Sequence, residues 1–141
     1  MKRHLFLFAL VALLTAKFGL AAQAQGKNGK AKSDKQWQGS VADLSLLKLT
    51  PKSGYFSDEM TFAKVWKAWN GEKKMPKVNF KKNIVCVATT RGSRLGLNPR
   101  VKDGDLKTIA FATSDLGPGF RFHMVAVSRE GVKTVNGKPL K

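Results

Sequence analysis

A thiol hydrolase needs a cysteine that ionises and a base beside it. Beyond the first 24 residues this chain has one candidate for each, Cys86 and His123. Cys86 sits inside the apolar run Ile84-Val85-Cys86-Val87-Ala88. That pattern reads as a core strand, not as a loop or helix N-terminus that would lower a thiol pKa, so Cys86 is expected to be a buried, inert side chain. His123 alternates with Arg121 and Val125 along Phe120 to Val127, which reads as an ordinary half-exposed strand position. One histidine and one cysteine make no structural zinc site without carboxylate help. The carboxylates each have a local structural reason: Asp103 and Asp105 flank a hairpin glycine, Asp58 and Glu59 open a helix, and Asp115 opens a turn. Ser93 and Ser114 have no adjacent histidine, and no G-x-S-x-G elbow occurs. These residues lead to the expectation of a non-enzyme with no catalytic group, cofactor, metal or small-molecule substrate.

Arginines are the remaining chemistry. The stretch VATTRGSRLG, residues 87–96, follows an apolar strand with a small polar turn, as many phosphate-cradling loops do. A Walker loop has four residues between its glycines and then Lys-Ser/Thr. Here three residues separate Gly92 from Gly96, and Leu97-Asn98 follow. Arg91 and Arg94 lie near one turn, Arg100 shares the strand parity of Arg94, and Arg121 or Arg129 arrives on a neighbouring strand. Arg91, Arg94, Arg100 and Arg121 are therefore candidates for contact with an anion or a partner, through carboxylate or sulfate groups. The alternative is a solvated basic sheet face.

The formal net charge is +17, with lysine outnumbering arginine. Such a field draws polyanions of any kind, whether acidic glycan, anionic lipid or nucleic acid, although lysine suits a solvated surface better than a geometric phosphate site. The chain opens MKRHLFLFALVALLTAKFGLAAQAQ. Lys2 and Arg3 precede an unbroken apolar run from Leu5 to Leu14, and Ala22-Gln23-Ala24 offers small residues for cleavage. At ~1.5 Å per helical residue that run is too short for a ~30 Å hydrocarbon core. Residues 1–24 are expected to be a signal peptide, with a secreted or periplasmic product and no membrane span after cleavage. Residues 25–40 are polar and Lys/Gly-rich, and read as a basic disordered linker. Residues 41–141 read as one domain without an internal disulfide.

Within that domain, Leu44, Leu46, Leu47 and Leu49 suggest a first strand ended by Thr50-Pro51. Phe62, Val65, Trp66 and Trp69 fall at helical spacing after a Ser57 N-cap, with Asn70-Gly71 as the stop. Ile84 to Ala88 fits a central strand covered on both faces. Leu95 and Leu97 alternate until Pro99 interrupts them, Asp103-Gly104 makes a hairpin turn, and strands follow at Leu106 to Thr113 and Phe120 to Val127. Val132 to Val135 pairs back, and Asn136-Gly137 begins a tail. The expected class is α+β: a mostly antiparallel β-meander of five or six strands with one amphipathic helix packed on the sheet.

From about Tyr55 onward the helix SDEMTFAKVWKAW, the Val78-Asn79-Phe80 segment and the strand Ile84 to Ala88 resemble the C-terminal domain of the PrcB-like family, exported subunits thought to stabilise a partner protease. The turn departs, with Thr90-Arg91-Gly92-Ser93 where that family usually has Thr-Gly-Gly-Tyr. The chain also resembles short exported proteins of bacteria. The first resemblance implies a non-catalytic domain that binds a protein partner. The functional expectation is an exported accessory or protein-binding domain that meets an envelope or secreted protein through a sheet edge or the basic loop face. An electrostatic binder of polyanions is the alternative.

Overall fold

A computed structural model describes residues 29–141. The leader expected over 1–24 and the start of the linker lie outside those residues. The elements run β1 (Gly29–Lys30), β2 (Ser33–Val41), a 3-10 helix (Leu44–Leu49), β3 (Tyr55–Phe56), α1 (Glu59–Asn70), β4 (Asn83–Thr90), β5 (Leu95–Lys102), β6 (Asp105–Ala112), β7 (Phe120–Ser128), β8 (Thr134–Val135) and β9 (Lys138–Pro139). The class is α+β and mostly sheet, as expected, and five of the strands are eight or nine residues long. They form two sheets. One has the order β2-β7-β4-β3, the other β1-β5-β6-β8-β9, and every pairing is antiparallel except β6 with β8.

The sheets stack into three layers with α1 outermost, because the central strands β4 and β7 of the first sheet bury apolar side chains on both faces. Phe120, Phe122, Met124 and Ala126 of β7 join Val85 and Val87 of β4 in the core under the helix. On the other face Val125, Val127, Ile84 and Cys86 meet Leu97 and Leu106 of the second sheet. Helix α1 docks by the stripe Phe62, Val65, Trp66 and Trp69. Each tryptophan pairs its indole N–H when buried: Trp66 donates to the Lys73 carbonyl and Trp69 to the Leu46 carbonyl, both at 3.1 Å.

Five local expectations are corrected. Residues 33–40 are strand β2 rather than linker, because Trp37 inserts against Phe62 and Trp66 while the backbone pairs with β7. The leucines at 44–49 form a 3-10 helix. Leu46 and Leu49 share a side at three residues per turn, and Asp43 caps the start by accepting from the Ser45 N–H at 2.8 Å. Asp58, not Ser57, caps α1, accepting from the Thr61 N–H at 2.8 Å. Strand β5 runs through Pro99, whose missing N–H costs nothing on the side away from β6. Asn136-Gly137, with φ of 50° and 79°, is a hairpin turn joining β8 to β9 instead of a tail.

Candidate binding groove between the two sheets

Between β1 and β2 the chain crosses from one sheet to the other at Ala31-Lys32. From there the sheets diverge. Strand β2 is the edge of the first sheet, and β5 keeps β1 as a neighbour only at Arg100 and Val101. The opening between them is a groove of about 810 Å³. His123 and Val125 of β7 lie at its base, Gln36 and Gln38 of β2 along one wall, and Leu95 to Pro99 of β5 along the other. A smaller hollow of about 230 Å³ shares Gln38 and Leu95 with it and ends at Ser93, Arg94 and Arg121.

The inward face is polar at this end for a reason visible in the register. Gln38 pairs with His123 and Gln36 with Val125, so both glutamines face the second sheet while Trp37 between them faces the helix. His123 is only 5% exposed, against the half-exposed position expected. Its Nε2 lies 3.3 Å from both Gln36 Oε1 and Gln38 Nε2, and its Nδ1 lies 3.4 Å from Gln38 Nε2. The tautomer protonated at Nε2 donates there to Gln36 and accepts from the Gln38 amide at Nδ1. Burial pushes its pKa below the usual 6.5, favouring the neutral ring. On the opposite wall Asn98 Oδ1 is buried with no hydrogen-bond partner among the described residues.

Of the four arginines singled out, the structure brings together Arg94 and Arg121, at the narrow end of the groove. Arg100 shares the parity of Arg94 but lies six residues along the strand, roughly 20 Å away at the strand rise. Arg91 is exposed in the turn after β4, its carbonyl accepting from the Gly117 N–H. Arg129 holds the chain end instead, donating to the carbonyls of Phe80 at 3.0 Å and Lys141 at 3.2 Å.

The turn Arg91-Gly92-Ser93-Arg94 is already occupied by its own chain. The Gly92 N–H donates to Thr90 Oγ1, Ser93 N–H to Asp115 Oδ1 and Arg94 N–H to Thr113 Oγ1, each at 3.0 Å. Asp115 thus takes the place an external anion would fill. Hydrogen bonds from Thr113 and Ser93 hold its carboxyl well below the usual range.

Cys86 is completely buried, and desolvation pushes its thiol up to about 12. It faces the second sheet opposite Val125, on the same face as His123 but away from the groove lining. Among the described residues no three His, Cys, Asp or Glu side chains converge, and no helix is long and apolar enough to cross a membrane.

Sequence reasoning missed Gln36, Gln38 and Asn98. The alternation Gln36-Trp37-Gln38 was the signal, since one aromatic between two amides at period two marks a strand with a polar inner face. Comparison with known protein families, characterised proteins and solved structures finds no match to this chain.

Proposed function

We propose that this chain is an exported, non-enzymatic accessory domain, secreted or periplasmic, that holds a segment of an envelope or secreted protein in the groove between β2 and β5. One observation carries the reading. Stacked sheets ordinarily interdigitate apolar side chains, whereas here Gln36, Gln38, His123 and Asn98 line an open groove beside an unpaired strand edge. The PrcB-like resemblance points the same way. The side chains with catalytic potential are otherwise engaged: the Cys86 thiol is protonated at neutral pH, and the His123 imidazole lies between two amides. Asp105 accepts from Lys107, Thr134 and the Gly137 N–H.

A photo-crosslinking residue at Gln38 of the full exported chain tests the reading. In envelope extract it is expected to give a discrete adduct that unmodified chain competes away. A crosslinker at Lys64, exposed on α1, is expected to give none. Equal labelling from the two positions would point to charge-driven adhesion of this strongly basic chain and would overturn the groove as the binding site.

A further inference from the structure

The backbone of β5 specifies what the groove can accept. The Thr113 N–H donates to the Arg94 carbonyl, so positions 94, 96 and 98 direct their backbone groups toward β6. The Ala31 N–H donates to the Pro99 carbonyl, so 95, 97 and 99 face the opposite side. On that side β1 covers β5 only at its far end, and among the described residues nothing bonds to the backbone of Leu95 or Leu97. Strand β1 begins a row antiparallel to β5 and leaves it at Ala31, where the chain turns into β2. The rest of that row is the groove. It runs for about four residues, roughly 14 Å at the strand rise, and ends at Arg94 and Arg121.

We propose that the groove takes the C-terminal end of an extended peptide, which adds to β5 as a short antiparallel strand at Leu95 and Leu97 and places its terminal carboxylate between Arg94 and Arg121. This rests on the groove being the partner site and deepens that reading. Strand addition supplies affinity through main-chain hydrogen bonds, and the end of the row sets which part of a partner fits. Continuing β1 antiparallel to β5 brings the incoming strand's C-terminus to the start of β5, where Arg94 stands. Charge complementarity selects the carboxylate: arginine forks bind such groups through paired hydrogen bonds, and no acidic side chain lines the hollow. The amides of Gln36 and Gln38, which line the groove, are available to polar side chains of the peptide.

The test uses the 15N-labelled full exported chain and a pool of N-acetylated hexapeptides randomised over their last four residues. One pool has free carboxyl ends, one has amidated ends, and a third has free ends with alternate N-methylated amides. The free-acid pool is expected to shift the Leu95 and Leu97 amide signals and protect them from exchange. The amidated pool should bind at least about tenfold more weakly, the loss of a charge-assisted contact, and the N-methylated pool likewise, since it lacks the strand's donors. Arg121→Gln should remove the preference for the free acid while leaving the fold intact, because Arg121 is exposed. Equal shifts at Leu95 and Leu97 from free and amidated pools would overturn the carboxylate assignment and leave the groove as the partner site. Shifts confined to Ala110 and Ala112, on the outer edge of β6, would overturn both. Binding of a tri-galacturonate oligosaccharide at the groove, with no response to any peptide pool, would overturn the peptide reading in favour of an acidic glycan.

Discussion

At the scale of single residues, environment decides chemistry more than residue type does. His123 is the clearest case. Its ring is buried between two amides and its pKa lies below the ordinary 6.5, so as pH falls the unfolded chain takes up its proton first. The stabilising contribution is complete above that ordinary value and is lost progressively as pH falls below it. The denaturation midpoint is therefore expected to decline from pH 8 toward pH 5, and His123→Gln should flatten that decline; an unchanged slope would contradict the burial argument. Cys86 gives a second expectation. With the thiol pushed up to about 12 and no exposed surface, an aromatic disulfide reagent near neutral pH should leave it unmodified until denaturant is added. Rapid reaction of the native chain would mean that the strand opens locally. The burial of Cys86 was legible in the apolar run around it. The burial of His123 was not, because alternation assigns a face and cannot tell whether another sheet covers it.

At the scale of elements, α1 was the most legible part of the chain, since its aromatic stripe repeats at the helical period. Its energetics follow from its contacts. Trp69 packs on Phe120 and Phe122 with centroids 5.3 Å from each, so Trp69→Ala is expected to cost about 3–5 kcal/mol, the usual range for emptying a large aromatic from a core. Asp58→Ala should cost about 1 kcal/mol by removing the cap. Urea denaturation measures both, and a Trp69 variant losing less than the cap variant would contradict the packing described. The leucines at 44–49 misled because their types favour a strand while Asp43 and the Trp69 indole N–H favour a tight helical turn. Strand β5 shows how pairing partners decide what proline does: Pro99 sits where the ladder to β6 needs no donor. In the same strand a Cβ at Gly96 would run into the Phe111 ring, which lies across it from β6. That packing keeps an aromatic at the groove although it is 66% exposed.

At the scale of the whole molecule, β2 is the piece whose role could not be anticipated from composition. A chain beginning at Val41 loses the edge strand and Trp37, uncovering the Phe62 and Trp66 rings. It is expected to lose cooperative thermal unfolding, whereas a chain beginning at Gly29 should keep it; two equally sharp transitions would restore the linker reading. The sequence by itself determined the α+β class, the docking face of the helix, the doubly covered central strand at Ile84 to Ala88 and the Asp103-Gly104 hairpin. Each of these follows from local periodicity or from the backbone freedom of a few residues. Only the tertiary structure decided that the strands divide into two sheets, that Gln36, Gln38 and His123 face one another, and that Arg94 and Arg121 line one hollow while Arg100 lies far off. Those outcomes depend on which strands become neighbours across long stretches of chain. Pairing of that kind is set by the burial of both faces of β4 and β7 together, and no short window of the sequence contains it.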